Sequence, residues 1–328
     1  MILVTGASGF LGGEIVKQLV VLGERVRIIV RPNSDISNLQ EIQTKIEIVY
    51  ADVLDIPSLE IAFEDVKKIY HSAAIISYDS SNYDAMYKCN IEGTANVVNV
   101  ALSKNVEKLI HISSIAAIGG NPNELIDEET PLEKNEWTTH YGITKMLAER
   151  EVWRGMQEGL DTVIVNPGII LGYGKANKAT MRIFKNIQQG KMPFYTLGTN
   201  GFVDVQDVVQ CCIQLMYADI KSERFILVGE NLSFKTYFEL IAETLKVKAP
   251  TRKLNKTTSY FFLFLDWLIS AFSNRKRGLT KENLKVSLEP FEYSNKKIKQ
   301  AIPFSFTPIQ ETIERIAKNI KDENINKH

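Results

Sequence analysis

Cysteine and histidine are scarce in this 328-residue chain, with three of the first and four of the second. Cys89, Cys211 and Cys212 make no disulfide framework, and none stands at metal-ligand spacing from a histidine. No metal site is expected, and a reducing, cytoplasmic setting fits best. Net charge is missing too: 39 basic and 39 acidic residues cancel, so the chain lacks the basic footprint of a nucleic-acid-binding protein. No apolar run reaches the ~20 residues that a membrane-spanning helix needs. The first strand pattern begins at Ile2, which leaves no space for a charged leader and apolar signal core. There is no internal repeat or low-complexity segment. What remains is a globular composition, 45% hydrophobic against 24% charged, with enough apolar surface for one large or two modest domains.

Through the first half, apolar runs alternate with amphipathic ones. Arg25–Val30, Ile46–Tyr50, Lys68–His71, Lys108–Ile112 and Thr162–Val165 read as strands separated by helices. That alternation predicts an α/β fold, a doubly wound parallel sheet covered on both faces. After Pro167 the pattern loosens into Gly172-Tyr-Gly174, a helix near Ala179–Gln189 and a loop around Pro193–Gly201. Val205–Ala218 and Arg224–Val228 then read as a helix and strand returning to the sheet, and from about Ser233 onward the chain is mainly helical. The expected division is a nucleotide-binding unit over residues 1–171, joined by 202–230, and a smaller, mostly helical substrate lobe from 172–201 and 231–328.

Two motifs carry chemistry. Ile2-Leu-Val-Thr-Gly-Ala-Ser-Gly-Phe-Leu-Gly12 runs from a strand through glycines into the helical pattern Glu14–Val20. Gly6 permits a tight turn, Gly9 lets the backbone approach a pyrophosphate, and Gly12 lets the helix pack closely on the sheet. The second motif lies in His140-Tyr-Gly-Ile-Thr-Lys-Met-Leu-Ala-Glu149. Four-residue spacing puts Tyr141 and Lys145 on one helical face, where the ammonium is expected to lower the phenol's pKa toward the range of acid/base catalysis.

These residues resemble the extended branch of the short-chain dehydrogenase/reductase superfamily, the NAD-dependent epimerase/dehydratase family, from Ile2 to roughly Ile316. The resemblance rests on the Gly-x-x-Gly-x-x-Gly loop, Asp52-Val53, His71-Ser-Ala-Ala74, Asn90-Ile-Glu-Gly-Thr94, Ser113-Ser114 with Gly119, Tyr141-x-x-x-Lys145, Asn166-Pro-Gly168 and Phe202-Val-Asp-Val-Gln-Asp207, in family order. It implies a Rossmann sheet with a nicotinamide cofactor across the strand ends and a Ser-Tyr-Lys catalytic group. Tyr141 would exchange a proton with the substrate oxygen. Lys145 would also hold the nicotinamide ribose, and Ser114 would hydrogen-bond the substrate oxygen, with Ser113 as the fallback. Asp52 would accept from the adenine. Cofactor contacts are expected from Thr5, Gly6, Ser8, Gly9, Phe10, Leu11, Gly12, Arg31, Asp52, Val53, Ala73, Ala74, Asn90, Tyr141, Lys145, Pro167 and Ile169. Asn90 reads chiefly as a backbone anchor and His71 as a satisfied buried histidine.

Cofactor choice turns on Val26-Arg-Ile-Ile-Val-Arg31. NAD-selective relatives end this strand with an acid for the ribose 2′-hydroxyl. Here Val30 takes that place, and Arg31 with Pro32-Asn-Ser34 suits a 2′-phosphate, so NADP(H) is expected over NAD(H). Among subgroups, the residues are most similar to dihydroflavonol-reductase-like and 3β-hydroxysteroid-dehydrogenase-like members, which implies carbonyl reduction or alcohol oxidation on a small apolar or aromatic substrate. No arginine precedes Asn166-Pro167, and the lobe contains the aromatic run Tyr260–Phe272. The alternative is a nucleotide-sugar epimerase or dehydratase with tightly bound cofactor. A cofactor-sensing regulator ranks last, since Tyr141 and Lys145 are retained. The Tyr260–Phe272 run, with Arg275-Lys-Arg277 after it, reads as a buried or subunit-contact helix ahead of a peripheral membrane anchor. Family habit suggests a homodimer.

Overall fold

The computed structural model describes residues 1–174, 176–255 and 281–325. The aromatic run Tyr260–Phe272 and its basic flank lie outside the described residues. Strands β1 (Ile2–Thr5), β2 (Val26–Val30), β3 (Ile46–Tyr50), β4 (Lys68–His71), β5 (Lys108–Ile112), β6 (Thr162–Pro167) and β7 (Glu223–Leu227) form one sheet in the order β7-β6-β5-β4-β1-β2-β3. Every pairing is parallel, with Val4 registered between Ile28 and Tyr70. The strand order reverses between β1 and β4, so a crevice opens there beyond the carboxyl ends.

Helices α1 (Phe10–Val21), α2 (Ile56–Ala62), α3 (Tyr83–Met86), α4 (Gly93–Ser103), α5 (His140–Gln157), α6 (Lys178–Gln188), α7 (Val205–Tyr217) and α8 (Phe234–Leu245) are followed by α9 (Lys281–Ser287), α10 (Lys296–Ala301) and α11 (Ile309–Ile325). On one face of the sheet, α1 and α7 bury Ile15, Leu19, Val208 and Leu215 against Val4, Ile110 and Val163. On the other, α2, α4 and α5 bury Leu59, Val97 and Val152 against Leu3, Ile69 and Ile164. Cover on both faces is why β5 is buried along its whole length and why these strands read as continuous apolar runs.

The first helix starts at Phe10, earlier than its apolar periodicity suggests, so Gly12 and Gly13 lie inside it. A Cβ on Gly12 would sit 2.3 Å from the Gly6 carbonyl oxygen, so helix and loop touch through backbone alone. The expected loop around Pro193–Gly201 also differs in part. Thr199–Asp204 is a strand, parallel to Ile169–Leu171 and antiparallel to Glu230–Ser233. Thr-Asn-Gly reads as a turn, and only tertiary pairing makes it a strand.

On this small sheet sits a further core, in which α6, α8 and α11 bury Phe184, Tyr237, Ile241, Ile313 and Ile316, with the Phe202 and Tyr237 rings 4.7 Å apart. Each such side chain contributes about 1.5–3 kcal/mol by leaving water. The Phe202–Asp207 motif joins this core to the main sheet. Asp204 caps α7 by accepting from Gln206 N at 2.7 Å; it also accepts from Thr312 Oγ1 at 2.6 Å and pairs with Arg315 on α11. Asp207 accepts from Thr307 N and Oγ1 at 2.7 and 2.9 Å. No helix among the described residues is long and apolar enough to cross a membrane.

Candidate functional site

The turn after β1 is built for close backbone approach. Gly6 has φ +71°, and a Cβ there would meet the backbone of Ser72 and Ala73 at 2.7 Å, so only glycine lets the loop lie against the end of β4. No side chain caps α1 at Gly9, which leaves its first amides to a ligand's phosphates. The loop is latched from outside by Asn38, whose Nδ2 donates to the carbonyls of Ala7 and Gly9, each at 3.3 Å. Sequence reading missed Asn38, which lies in a polar segment with no motif.

Beneath the loop, the Thr94 hydroxyl donates to Asn90 O at 2.6 Å and so must accept from His71 Nε2 at 3.0 Å. That fixes the tautomer: Nδ1 carries no proton and accepts from Thr5 Oγ1 at 2.7 Å, while Thr5 Oγ1 accepts from the amides of Ser72 and Ala73 at 3.1 Å. Burial, reinforced by the Lys145 charge, pulls His71 down to about 3, so it is neutral. Its ring lies 5.3 Å from that of His111.

The catalytic candidates meet because two backbones touch. Thr139 caps α5 by accepting from Gly142 N at 3.0 Å, and a Cβ on Gly142 would lie 2.4 Å from Ala116 O. The start of α5 therefore packs directly on the turn that carries Ser114. The Ser114 hydroxyl lies beside the Tyr141 phenol, whereas that of Ser113 faces Glu149. The Lys145 ammonium donates to Ile112 O at 2.7 Å.

The electrostatics differ from the expectation that Lys145 lowers the phenol. Burial raises Tyr141, the neighbouring Tyr78 raises it further, and Ser114 alone pulls it down. Burial instead acts on the lysine, bringing Lys145 down to about 8 against the raising effect of Glu149 and Cys89. In a desolvated site both groups are pushed toward their neutral forms, and that outweighs attraction between them. The Tyr78 ring stands edge-on to Tyr141 at 6.1 Å; nothing in the sequence marked it.

A cleft of about 990 Å³ connects these parts. Gly6, Ser8, Gly9, Phe10, Leu11 and Gly12 line it, as do Arg31, Asp52, Val53, Ala73 and Ala74, and Ser114, Tyr141, Lys145, Pro167 and Ile169. Thr5 and Asn90 do not line it. Thr5 is committed to His71, and Asn90 ties the chain at Ile75 to α5, accepting from Ile75 N at 2.7 Å and donating to Ile75 O and Thr144 Oγ1 at 3.0 Å. Asp52 accepts from Leu54 N at 3.0 Å, so one oxygen caps a turn while the residue faces the cleft. Arg31 is exposed and lines the cleft with Ser34, whose amide donates to Arg31 O at 3.0 Å. An elongated groove with an uncapped helix start and a glycine wall fits a dinucleotide.

The same cleft is also lined by Ile118, Trp137, Ile183, Phe234, Phe291 and Tyr293, together with the polar Asn135, Asn177, Thr180 and Asn200. Its charged lining residues, among those described, are Arg31, Asp52, Lys145 and Lys178. No group of three or more metal-ligating side chains occurs among the described residues.

Residues 2–229 match the model of the NAD dependent epimerase/dehydratase family. Sterol demethylase protein B of Methylococcus capsulatus is 31% identical over 242 residues, 74% of this chain and 73% of that protein. A putative dihydroflavonol 4-reductase of Synechocystis is 27% identical, covering 94% of this chain and 91% of that one. The UDP-glucose 4-epimerase of Thermotoga maritima superposes with a TM-score of 0.79 over 98% of this chain and 99% of its own at 18% identity, a likeness of fold.

Proposed function

Because this chain belongs to the NAD-dependent epimerase/dehydratase family of NAD(P)-dependent enzymes, we propose that it is an NADP(H)-dependent reductase acting on the carbonyl of a small apolar or aromatic molecule, or on the alcohol in reverse. The observation that carries this reading is the cleft lining contributed by Ile118, Trp137, Ile183, Phe234, Phe291 and Tyr293, with Lys178 as the one cation besides Arg31 and Lys145 among the described lining residues. A sugar diphosphate would find few cations there to replace its hydration.

Reduced nicotinamide, when bound, supplies the hydride. Tyr141 gives its proton to the substrate oxygen as charge builds there, and its raised pKa keeps that proton in place at neutral pH. Ser114 donates a hydrogen bond to the same oxygen and stabilises the developing charge. Lys145, anchored to Ile112 O, presents an ammonium that favours the phenolate left behind and holds the nicotinamide ribose. Asp52 would accept from the adenine, and Arg31 would pair with the 2′-phosphate, since Val30 brings no carboxylate to repel it.

Following NADPH absorbance over aromatic aldehydes, ketones and sugar nucleotides tests the class. Consumption with an apolar carbonyl is expected, and conversion of a sugar nucleotide without net cofactor use would replace the reading with an epimerase. Tyr141→Phe should bind cofactor normally and lose about 10²-fold or more in turnover. NADPH should bind more tightly than NADH; the opposite order defeats the cofactor assignment. A homodimer in the cytoplasm completes the proposal, with sedimentation velocity as its check.

A further inference from the structure

Tyr141, Lys145 and Glu149 follow one another at four-residue intervals on the face of α5 that meets the sheet. Lys145 is 2% exposed and Glu149 fully buried. Several titratable groups face the ammonium: His71 from β4, His111 from β5, Cys89 from the segment before α4, and Glu149 and Tyr141 from its own helix. Both histidines are neutral, being held below their usual range by burial. Glu149 is thus the group that brings negative charge.

Glu149 is itself held in place. Its Oε1 accepts from Asn166 Nδ2 at 2.6 Å, and its Oε2 lies 3.5 Å from Nε of Arg224, which is buried on β7. Arg224 Nε and Nη1 have no hydrogen-bond partner, and the guanidinium lies 5.8 Å from the Trp153 ring. A buried ion pair whose two members share no hydrogen bond is a poor device for stability, since desolvating two charges costs more than a loose contact returns. Its placement one helical turn from Lys145 suits a different role. Burial raises the Glu149 carboxyl above the usual carboxylate range; Arg224 pulls it back toward the carboxylate, and a carboxylate there favours the ammonium of Lys145 against its own burial.

We propose that Glu149 is a positioning residue that keeps the buried Lys145 ammonium charged, with Arg224 holding Glu149 ionised in turn. The chain Arg224–Glu149–Lys145 sets the upper pH at which the site works, which rests on the reading above that Lys145 acts as a cation.

The test reads the lysine directly. In protein labelled with carbon-13 at lysine Cε, the resonance that disappears in Lys145→Met reports its titration, expected near about 8 in the parent. Glu149→Gln should lower that titration by about one pH unit or more, and Glu149→Asp should restore most of it. Should Glu149→Gln alone not fold, Glu149→Gln with Arg224→Gln removes both charges and should give the same fall. The alkaline limb of kcat/KM should move down with the resonance, whereas a structural defect would lower kcat/KM without moving the limb. An unmoved resonance in either folded variant overturns the proposal whatever turnover does. A resonance that falls while the limb stays put upholds Glu149's hold on Lys145 and rejects the catalytic use of its charge.

Discussion

Replacing Lys145 by methionine should change how stability depends on pH in a way that can be worked out beforehand. Burial lowers Lys145 from 10.5 to about 8. Between those values the unfolded chain holds a proton that the folded chain has released, so the parent gains stability as pH rises through that window. Each pH unit there is worth about 1.4 kcal/mol, and the full shift about 3 kcal/mol. From about pH 7 to about pH 9.5 the parent should therefore gain about 2 kcal/mol relative to Lys145→Met, which has nothing to titrate at this position. Groups not coupled to Lys145, such as the buried Cys211 and Cys212 that burial raises, change both proteins alike and cancel in the difference; Cys89, which the Lys145 charge lowers, does not, so both proteins are compared with Cys89→Ala in place. The absolute offset also contains the lost Lys145–Ile112 hydrogen bond, so the slope is the clean quantity. Urea unfolding of both proteins at several pH values gives it directly. Parallel profiles would refute the claim that the fold holds this ammonium against its desolvation.

Gly6→Ala should abolish cofactor binding by calorimetry and destabilise by about 2 kcal/mol or more, because a Cβ meets backbone at 2.7 Å in a positive-φ residue. Asn90→Ala removes the tie between Ile75 and Thr144 and should cost about 2–3 kcal/mol in chemical denaturation, with a fall in kcat at unchanged cofactor affinity. Asp204→Ala unties α11 from α7 and leaves Thr312 and Arg315 without their acceptor; a loss of about 3 kcal/mol and faster amide exchange across residues 309–325 are expected.

The sheet was readable because strands covered on both faces are written as uninterrupted apolar runs: Ile46–Tyr50, Lys68–His71 and Lys108–Ile112 have the expected bounds. Thr199–Asp204 was not readable, since its strand state comes from partners at 169–171 and 230–233. For the site, spacing located Tyr141 and Lys145, and glycine chemistry located the loop. The direction of the Tyr141 shift was out of reach, because helical spacing reports proximity and says nothing about how much water remains. Glu149 was legible in principle, one more helical turn along the same face. Its partner Arg224 was not, as 75 positions separate them and only the β6–β7 pairing brings them together.

The side-by-side imidazoles of His71 and His111 have a consequence for handling the protein. Free histidine takes up a proton near 6.5, while His71 inside resists until about 3. Acidification therefore rewards the unfolded chain, and the native state weakens progressively from mildly acidic conditions downward. Low-pH elution and acidic crystallisation screens would both draw on this weakness before any surface carboxylate mattered.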